Sequence, residues 1–253
     1  MTTITIGQRK GGNGKSTSAL NLAHAFALAG KQVLLVDLDD QKNTTSAIEH
    51  ASEGGASVER LLLDTTLSVA DAAVPTAWEG VHLIAASASL SGTIRELDGE
   101  VGSHLVLREK LEHAEGFDLC LIDTSPSLNI LVVNALCASR YLFIPLSSRY
   151  FSLQGLGQTL DAFGKVRARL NPALSVLGMA FVIHDCRSSL ANDVVGKARE
   201  TYPELVCSSL VGQNIRIEEA QVLQKSIFSY APRDRGALQY RALADELSAR
   251  MGG

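Results

Sequence analysis

The sequence predicts an α/β fold, a mostly parallel twisted sheet flanked by helices on both faces, and three observations predict it. Short apolar runs rich in β-branched residues alternate with longer stretches of helical periodicity, the order that builds βαβ units. Two of the runs, Val33 to Asp37 and Leu119 to Asp123, are apolar until a closing carboxylate, as expected of strands buried on both faces. No composition break, repeat or low-complexity linker divides the 253 residues, which predicts one domain over residues 1–253.

Taken in order, Ile4 to Gly7 reads as the first strand. Ser16 to Ala29 is a helix with Leu20, Leu22, Ala23, Phe26 and Ala27 facing inward, and Gly30 closes it. After the strand Val33 to Asp37 come a helix from Val58 to Leu63 and a strand from Val81 to Ala85. Leu90 to Ala114 reads as one helix, and Leu119 to Asp123 as the next strand. Strands at Tyr141 to Pro145 and Val176 to Ile183 bracket a helix from about Leu153 to Leu170, which ends before Asn171-Pro172. Leu190 to Tyr202 and Ala237 to Met251 are the last two helices.

Composition narrows the function classes. Hydrophobic residues make up 46% and charged residues 20%, enough to bury a core and ordinary for a globular protein. The net charge of −4 gives no global positive field toward nucleic acid, so any DNA contact needs a local patch or a dimer that pools two patches. Cys120, Cys137, Cys186 and Cys207 form no C-x-x-C pair and read as buried, reduced thiols of a cytoplasmic protein. Met1 leads straight into a strand with no leader pattern, and no apolar stretch is long enough to span a bilayer.

The strongest motif is Arg9-Lys-Gly-Gly-Asn-Gly-Lys-Ser-Thr17, between the first strand and the first helix. Phosphate oxygens need many donors converging at short range. Gly11, Gly12 and Gly14 let the backbone curl so that successive N–H groups point inward, and the helix N-terminus adds its positive end. Lys15 supplies charge for the β- and γ-phosphates, and the Ser16 hydroxyl is a Mg²⁺ ligand. The fold class is therefore that of a P-loop NTPase. Asp37, with Asp39 just beyond it, and Asp123 end strands at the sheet edge where ligands bind in open α/β folds. Asp37 supports either the Mg²⁺ shell or the loop, and Asp123 has the shape of a Walker B acid that holds Mg²⁺ through water.

The K-G-G-N-G-K-S spelling resembles the deviant Walker A loop of the ParA/MinD family. The resemblance continues in D-L-D-D-Q-K-N (Asp37 to Asn43), D-T-S-P-S (Asp123 to Ser127), Tyr141 to Leu156, Phe181 to Val194, N-I-R-I-E-E-A (Asn214 to Ala220) and Gly236 to Tyr240. It implies an ATPase that binds ATP and Mg²⁺ and dimerises around the nucleotide. Lys10 is then the signature lysine that reaches the partner subunit's ATP, Gly12 permits close approach of two subunits, and Asp39 orients the attacking water. The cofactor-binding set is Lys10, Gly11, Gly12, Asn13, Gly14, Lys15, Ser16 and Thr17, with Gly212, Gln213 and Asn214 at the base. The chain departs from the family pattern at several positions: Asp40 replaces Pro, Lys42 replaces Gly, Ser125 replaces the first Pro after Asp123-Thr124, and Gly212-Gln213 stand where the family prefers Pro-Arg, so that only Asn214 carries over there by identity.

By the same resemblance the function is DNA partition. ATP-bound dimers would bind double-stranded DNA non-specifically on the nucleoid, and a ParB-like centromere-binding protein would stimulate hydrolysis. Arg216 matches a family arginine associated with DNA. Arg187, Lys225, Arg233 and Arg235 join it by charge alone, with Glu218, Glu219 and Asp234 among them. The tail from Tyr240 to Gly253 is short and mixed in charge, without Phe or Trp, and does not read as a membrane anchor. No arginine finger is evident, which predicts slow intrinsic turnover. Two other readings stay open: an ATPase that positions a non-DNA cargo, and a regulatory or metabolic member of the superfamily.

Overall fold

The computed structural model describes residues 1–49, 55–148 and 152–252. In chain order the first half contains β1 (Thr2–Ile6), α1 (Lys15–Leu28), β2 (Val33–Leu38), α2 (Asn43–Ser46), α3 (Val58–Leu63), α4 (Val69–Ala72), β3 (Val74–Pro75), β4 (Val81–Ile84), α5 (Leu90–Leu97) and α6 (Val106–Glu112). The second contains β5 (Leu119–Thr124), α7 (Ile130–Ala138), β6 (Tyr141–Ser147), α8 (Ser152–Arg169), β7 (Ser175–Ile183), α9 (Ser189–Thr201), α10 (Ile215–Val222), α11 (Ile227–Tyr230) and α12 (Arg235–Gly252).

Seven strands form one sheet in the order β3-β4-β2-β5-β1-β6-β7, and every pairing is parallel except β3 with β4. Alternation along each strand sends side chains to two separate cores. Val33 and Leu35 of β2 pack with α1 and α12, through Leu20, Phe26, Tyr240 and Leu243. Leu34 and Val36 pack on the other face with α3, α6 and α7, through Leu61, Leu107 and Leu131. Beside them β6 and β7 carry a third cluster under α8 and α9, with Phe181, Phe163 and Val194. Helices thus cover both faces, as the continuous apolar runs predicted.

Two expectations need correction. The single helix expected from Leu90 to Ala114 is broken into α5, a 3₁₀ turn at Ser103–Leu105, and α6. Gly99 (φ 95°) and Gly102 (φ 82°) turn the chain through the left-handed region, which a continuous helix cannot accommodate. Of the cysteines, Cys120, Cys137 and Cys207 are buried free thiols as expected, but Cys186 is exposed. Residues 149–151, within the segment that resembled the family after β6, lie outside the described residues.

Candidate nucleotide-binding site

β1 lies between β5 and β6, so its C-terminal end opens in the middle of the sheet. The loop that follows turns through Gly12 (φ 74°) and Gly14 (φ 76°) before α1 begins. At Gly14 a side chain would be strained twice, by the left-handed φ and by a Cβ only 2.9 Å from Val182 Cγ2. Gly11 and Gly12 are exposed, and a Cβ at either would meet nothing within 4 Å. No side chain caps α1. Its first-turn amides therefore stay available to an anion, with the helix dipole behind them.

Lys15 is 7% exposed. Burial lowers its pKa, while Asp123 and Asp39 act in the opposite direction and favour its charged form. Buried Asn13 has no hydrogen-bond partner at Nδ2. Lys10 is half-buried just before the exposed glycines. The start of the loop is tied to α8, because Thr159 Oγ1 donates to Gln8 Oε1 (2.7 Å) and accepts from Arg9 N (3.1 Å).

Asp37 and Asp123 are register partners on β2 and β5 and both are fully buried. Desolvation raises the pKa of each, and the neighbouring Asp37 charge raises that of Asp123 further. Their hydrogen bonds differ. Asp37 Oδ1 accepts from Asp39 N (3.0 Å), and Oδ2 accepts from Thr45 N (2.8 Å) and Thr45 Oγ1 (2.7 Å). The carboxylate is thus committed to the loop after β2, the second of its two expected roles. Asp123 Oδ2 accepts from Thr44 Oγ1 (2.7 Å). The Ser16 hydroxyl is near enough to favour the charged form of Asp123 but completes no bond to Oδ1, which has no partner.

Asp39 is 3% exposed and its Oδ1 accepts from Gln41 N (3.0 Å). Its pKa is raised by desolvation, with the adjacent Asp40 adding to the rise and Lys15 opposing it. Lys42 has φ 53°, in the left-handed region where the family pattern places glycine. The first turn of α1, Asp39, Gln41, α2 and Pro126 enclose an open cleft of about 600 Å³, within the range of small-molecule sites. Gln221 and Val222 from the end of α10 complete its lining. Gln221 Nε2 donates to Thr17 Oγ1 (3.0 Å).

Among the described residues no three His, Cys, Asp or Glu side chains gather closely enough to hold a metal by themselves. The donors do fit Mg²⁺, which binds through one or two protein oxygens and completes its shell with phosphate and water. Ser16 Oγ and the unpartnered Oδ1 of Asp123 would hold it; Asp37, expected in the same set, already accepts three hydrogen bonds from the loop after β2.

A family model described as an AAA domain matches residues 1–176. The chromosome-partitioning ATPase Soj of Thermus thermophilus is 40% identical over 248 residues, covering 98% of this chain and 96% of its own. The chromosome partitioning protein ParA of Caulobacter vibrioides is 36% identical over 253 residues, covering 98% and 94%. The chain belongs to the ParA/Soj family of P-loop ATPases.

Solved structures agree on the fold. Cobyrinic acid a,c-diamide synthase from Mycobacterium smegmatis, with bound ADP and magnesium, matches at TM-score 0.86 and 29% identity, covering 100% of this chain and 96% of its own. The Pyrococcus furiosus cell division ATPase MinD matches at TM-score 0.79 and 22% identity, covering 98% of each chain. The ParA resemblance had placed the base at residues 212–214, and in this chain those residues have internal partners. Asn214 caps α10, its Oδ1 accepting from Arg216 N (2.9 Å), while its Nδ2 donates to Asp234 Oδ1. Gly212 N donates to Gln239 Oε1, and Gln213 N to the His184 carbonyl. The cleft lining includes Gln221 and Val222, which sequence reasoning missed along with Thr44 and Thr45. Only the Thr44-Thr45 pair following the Asp37 motif offered a signal.

All five candidate DNA residues are exposed. Arg216, Lys225, Arg233 and Arg235 lie on or between α10, α11 and α12, whereas Arg187 lies in the turn before α9. Arg216 pairs with Glu219 (3.0 Å) and Arg187 with Asp185 (3.2 Å). Among the described residues no helix is long and apolar enough to cross a membrane.

Proposed function

We propose that this chain is an ATP-driven DNA-partition ATPase that works as a nucleotide-sandwiched dimer. One observation carries the reading: buried Lys15 lies between the charges of Asp39 and Asp123 beneath an exposed Gly11-Gly12 turn. Phosphate bound there takes its donors from the loop amides and Lys15. Lys10, at the loop's outer edge, serves the nucleotide of a second copy. Ser16 and Asp123 hold Mg²⁺, which neutralises charge developing on the transferred phosphoryl group. Asp39 accepts a hydrogen bond from the attacking water and aligns it, and Asp37 fixes the loop that carries Asp39.

The exposed apolar side chains Ile215 (67%) and Val222 (83%) of α10, with Leu223 (54%) just after it, lie on or beside the helix that borders the cleft and supply surface for a second copy. Dimerisation doubles the basic set of Arg216, Lys225, Arg233 and Arg235, with Arg187 outlying. The ion pair at Arg216 is exposed and screened by solvent, so a DNA phosphate can replace it. A ParB-like centromere-binding partner stimulates hydrolysis and releases the dimer from the nucleoid.

Gel-shift retention of DNA with ATP, ADP or no nucleotide, at two salt concentrations, tests this for wild type and Lys10→Ala. The expected result is ATP-dependent, salt-sensitive retention lost in the variant. No retention in any state with ATPase intact would move the reading to another cargo or to a metabolic role.

A further inference from the structure

On the opposite side of β2 and β4 from α1, helices α3, α5 and α6 leave a groove in two connected parts of about 600 and 480 Å³, which share Leu63, Thr65 and Glu96. The floor of the larger part is apolar, formed by Leu62, Leu67, Leu97 and Val106. Glu96, Glu100 and Glu109 line its rim, all exposed and without an ion-pair partner among the described residues. Glu59 and Asp64 line the smaller part. Five carboxylates thus face two cations, Arg60 and Lys110, with His113 at the edge. Lys110 is already engaged, its Nζ donating to the carbonyls of Asp64 (2.8 Å) and Leu67 (2.5 Å).

Glu59 points to a ligand by itself. It is 3% exposed, its Oε1 accepts from Ser87 N (2.7 Å), and its buried Oε2 has no partner. A buried carboxylate oxygen with no donor is costly and rare. Beside an open cleft, an ammonium or guanidinium entering from outside can satisfy it without refolding the chain.

We propose that this groove docks a basic amphipathic segment of a partner protein, whose apolar side chains cover the Leu62–Leu97 floor and whose Lys or Arg reaches Glu59. The groove also connects to the nucleotide site. The turn after β4 is held on the groove side by Val58 N to the Ala85 carbonyl and by Ser87 N to Glu59 Oε1. On the other side, Ala86 N donates to Thr45 Oγ1, which donates to Asp37 Oδ2. A cation at Glu59 therefore acts on residues one hydrogen bond from the loop that carries Asp39. The surface is independent of DNA binding, and so is its test.

The probe is a synthetic peptide with Leu and Lys at helical spacing, compared with a twin in which every Lys is Glu. Binding to the full chain is read by fluorescence anisotropy without DNA, with and without ATP. The Lys peptide binds and the Glu twin does not. Glu59→Gln keeps the acceptor for Ser87 N and weakens binding about tenfold or more. The double variant Glu96→Gln/Glu100→Gln weakens it a few-fold at low salt and less at high salt. Glu112→Gln, outside the groove and paired with Arg108, leaves binding unchanged. Equal binding by wild type, Glu59→Gln and the double variant overturns the proposal. So does a change in oligomeric state on these substitutions, which would make the occupant a second copy of this chain. Loss of DNA retention with peptide binding intact would count against the partition reading and leave this surface standing.

Discussion

Asp37 and Asp123 end neighbouring strands at the same register, equally buried, yet the chain treats them in opposite ways. The end of β2 turns back on itself, and Asp37 receives three donors from the eight residues that follow. The end of β5 receives one hydroxyl from Thr44 and leaves Oδ1 bare beside Ser16. The first shapes a loop, and the second keeps an open acceptor, which suits the Mg²⁺-holding role proposed for it. A buried carboxylate oxygen left without a partner beside an open cleft is a candidate contact for a ligand entering that cleft.

The largest effect expected from breaking this pairing is at Asp37. Asp37→Ala strands three donors, the buried Asp39 N and two of half-buried Thr45, and should lower unfolding free energy by about 3 kcal/mol, read by urea denaturation. Asp123→Asn should do the reverse. It removes a like charge from beside Asp37, keeps an acceptor for Thr44, and should add about 1 kcal/mol of stability. ATP turnover should fall on the order of a hundredfold in the same variant.

The pH dependence sharpens the contrast. Both carboxylates titrate above their ordinary range in the fold, so between about pH 4 and neutrality the folded chain holds protons that the unfolded chain has released. Their contribution is therefore complete below about pH 4 and is lost as pH rises. His24 works in the other direction. Burial holds its pKa down to about 4, so its contribution is complete above about pH 6.5 and is lost as pH falls through that window. Its ring stacks on Trp78, and its Nδ1 bonds Ser226 Oγ, which keeps the neutral form in place. Subtracting the Asp123→Asn stability profile from the wild-type profile should isolate the carboxylate slope, steepest between about pH 4 and neutrality and flat above it.

A smaller effect lies in the loop itself. Lys42 adopts φ 53°, which costs a non-glycine residue about 1 kcal/mol. Lys42→Gly should relieve that strain, and the extra freedom of glycine when unfolded should leave a net gain below about 1 kcal/mol, measurable as a shift in denaturant midpoint.

The sequence made the central strands and the phosphate loop legible because several local rules agreed there. Unbroken apolar runs, closing acids and glycines before Lys15 all pointed to one βα junction. Helix α7 was overlooked because Ile130–Ala138 is apolar on every side and shows no amphipathic period; only Asn129, whose Oδ1 caps it, could have signalled its start. The antiparallel edge strand β3 is two residues long and includes Pro75, too short to carry a pattern. Asn214, assigned to the base by resemblance, also caps α10, a role that an Asn before a helix commonly takes and that its position could have signalled. Neither the bare oxygen of Asp123 nor that of Glu59 can be read from sequence, because each depends on which donors tertiary packing fails to supply.

The most direct test of the open Asp123 site is the stability of wild type and Asp123→Asn, measured by denaturation with ATP plus Mg²⁺ and with ATP plus EDTA. Ligand binding to the folded state alone raises stability in proportion to RT ln(1 + [L]/Kd). The wild type should gain markedly more with Mg²⁺ than with EDTA. The Asn variant should start more stable and gain nearly the same in both. A Mg²⁺-dependent gain in Asp123→Asn equal to that of the wild type would contradict the account.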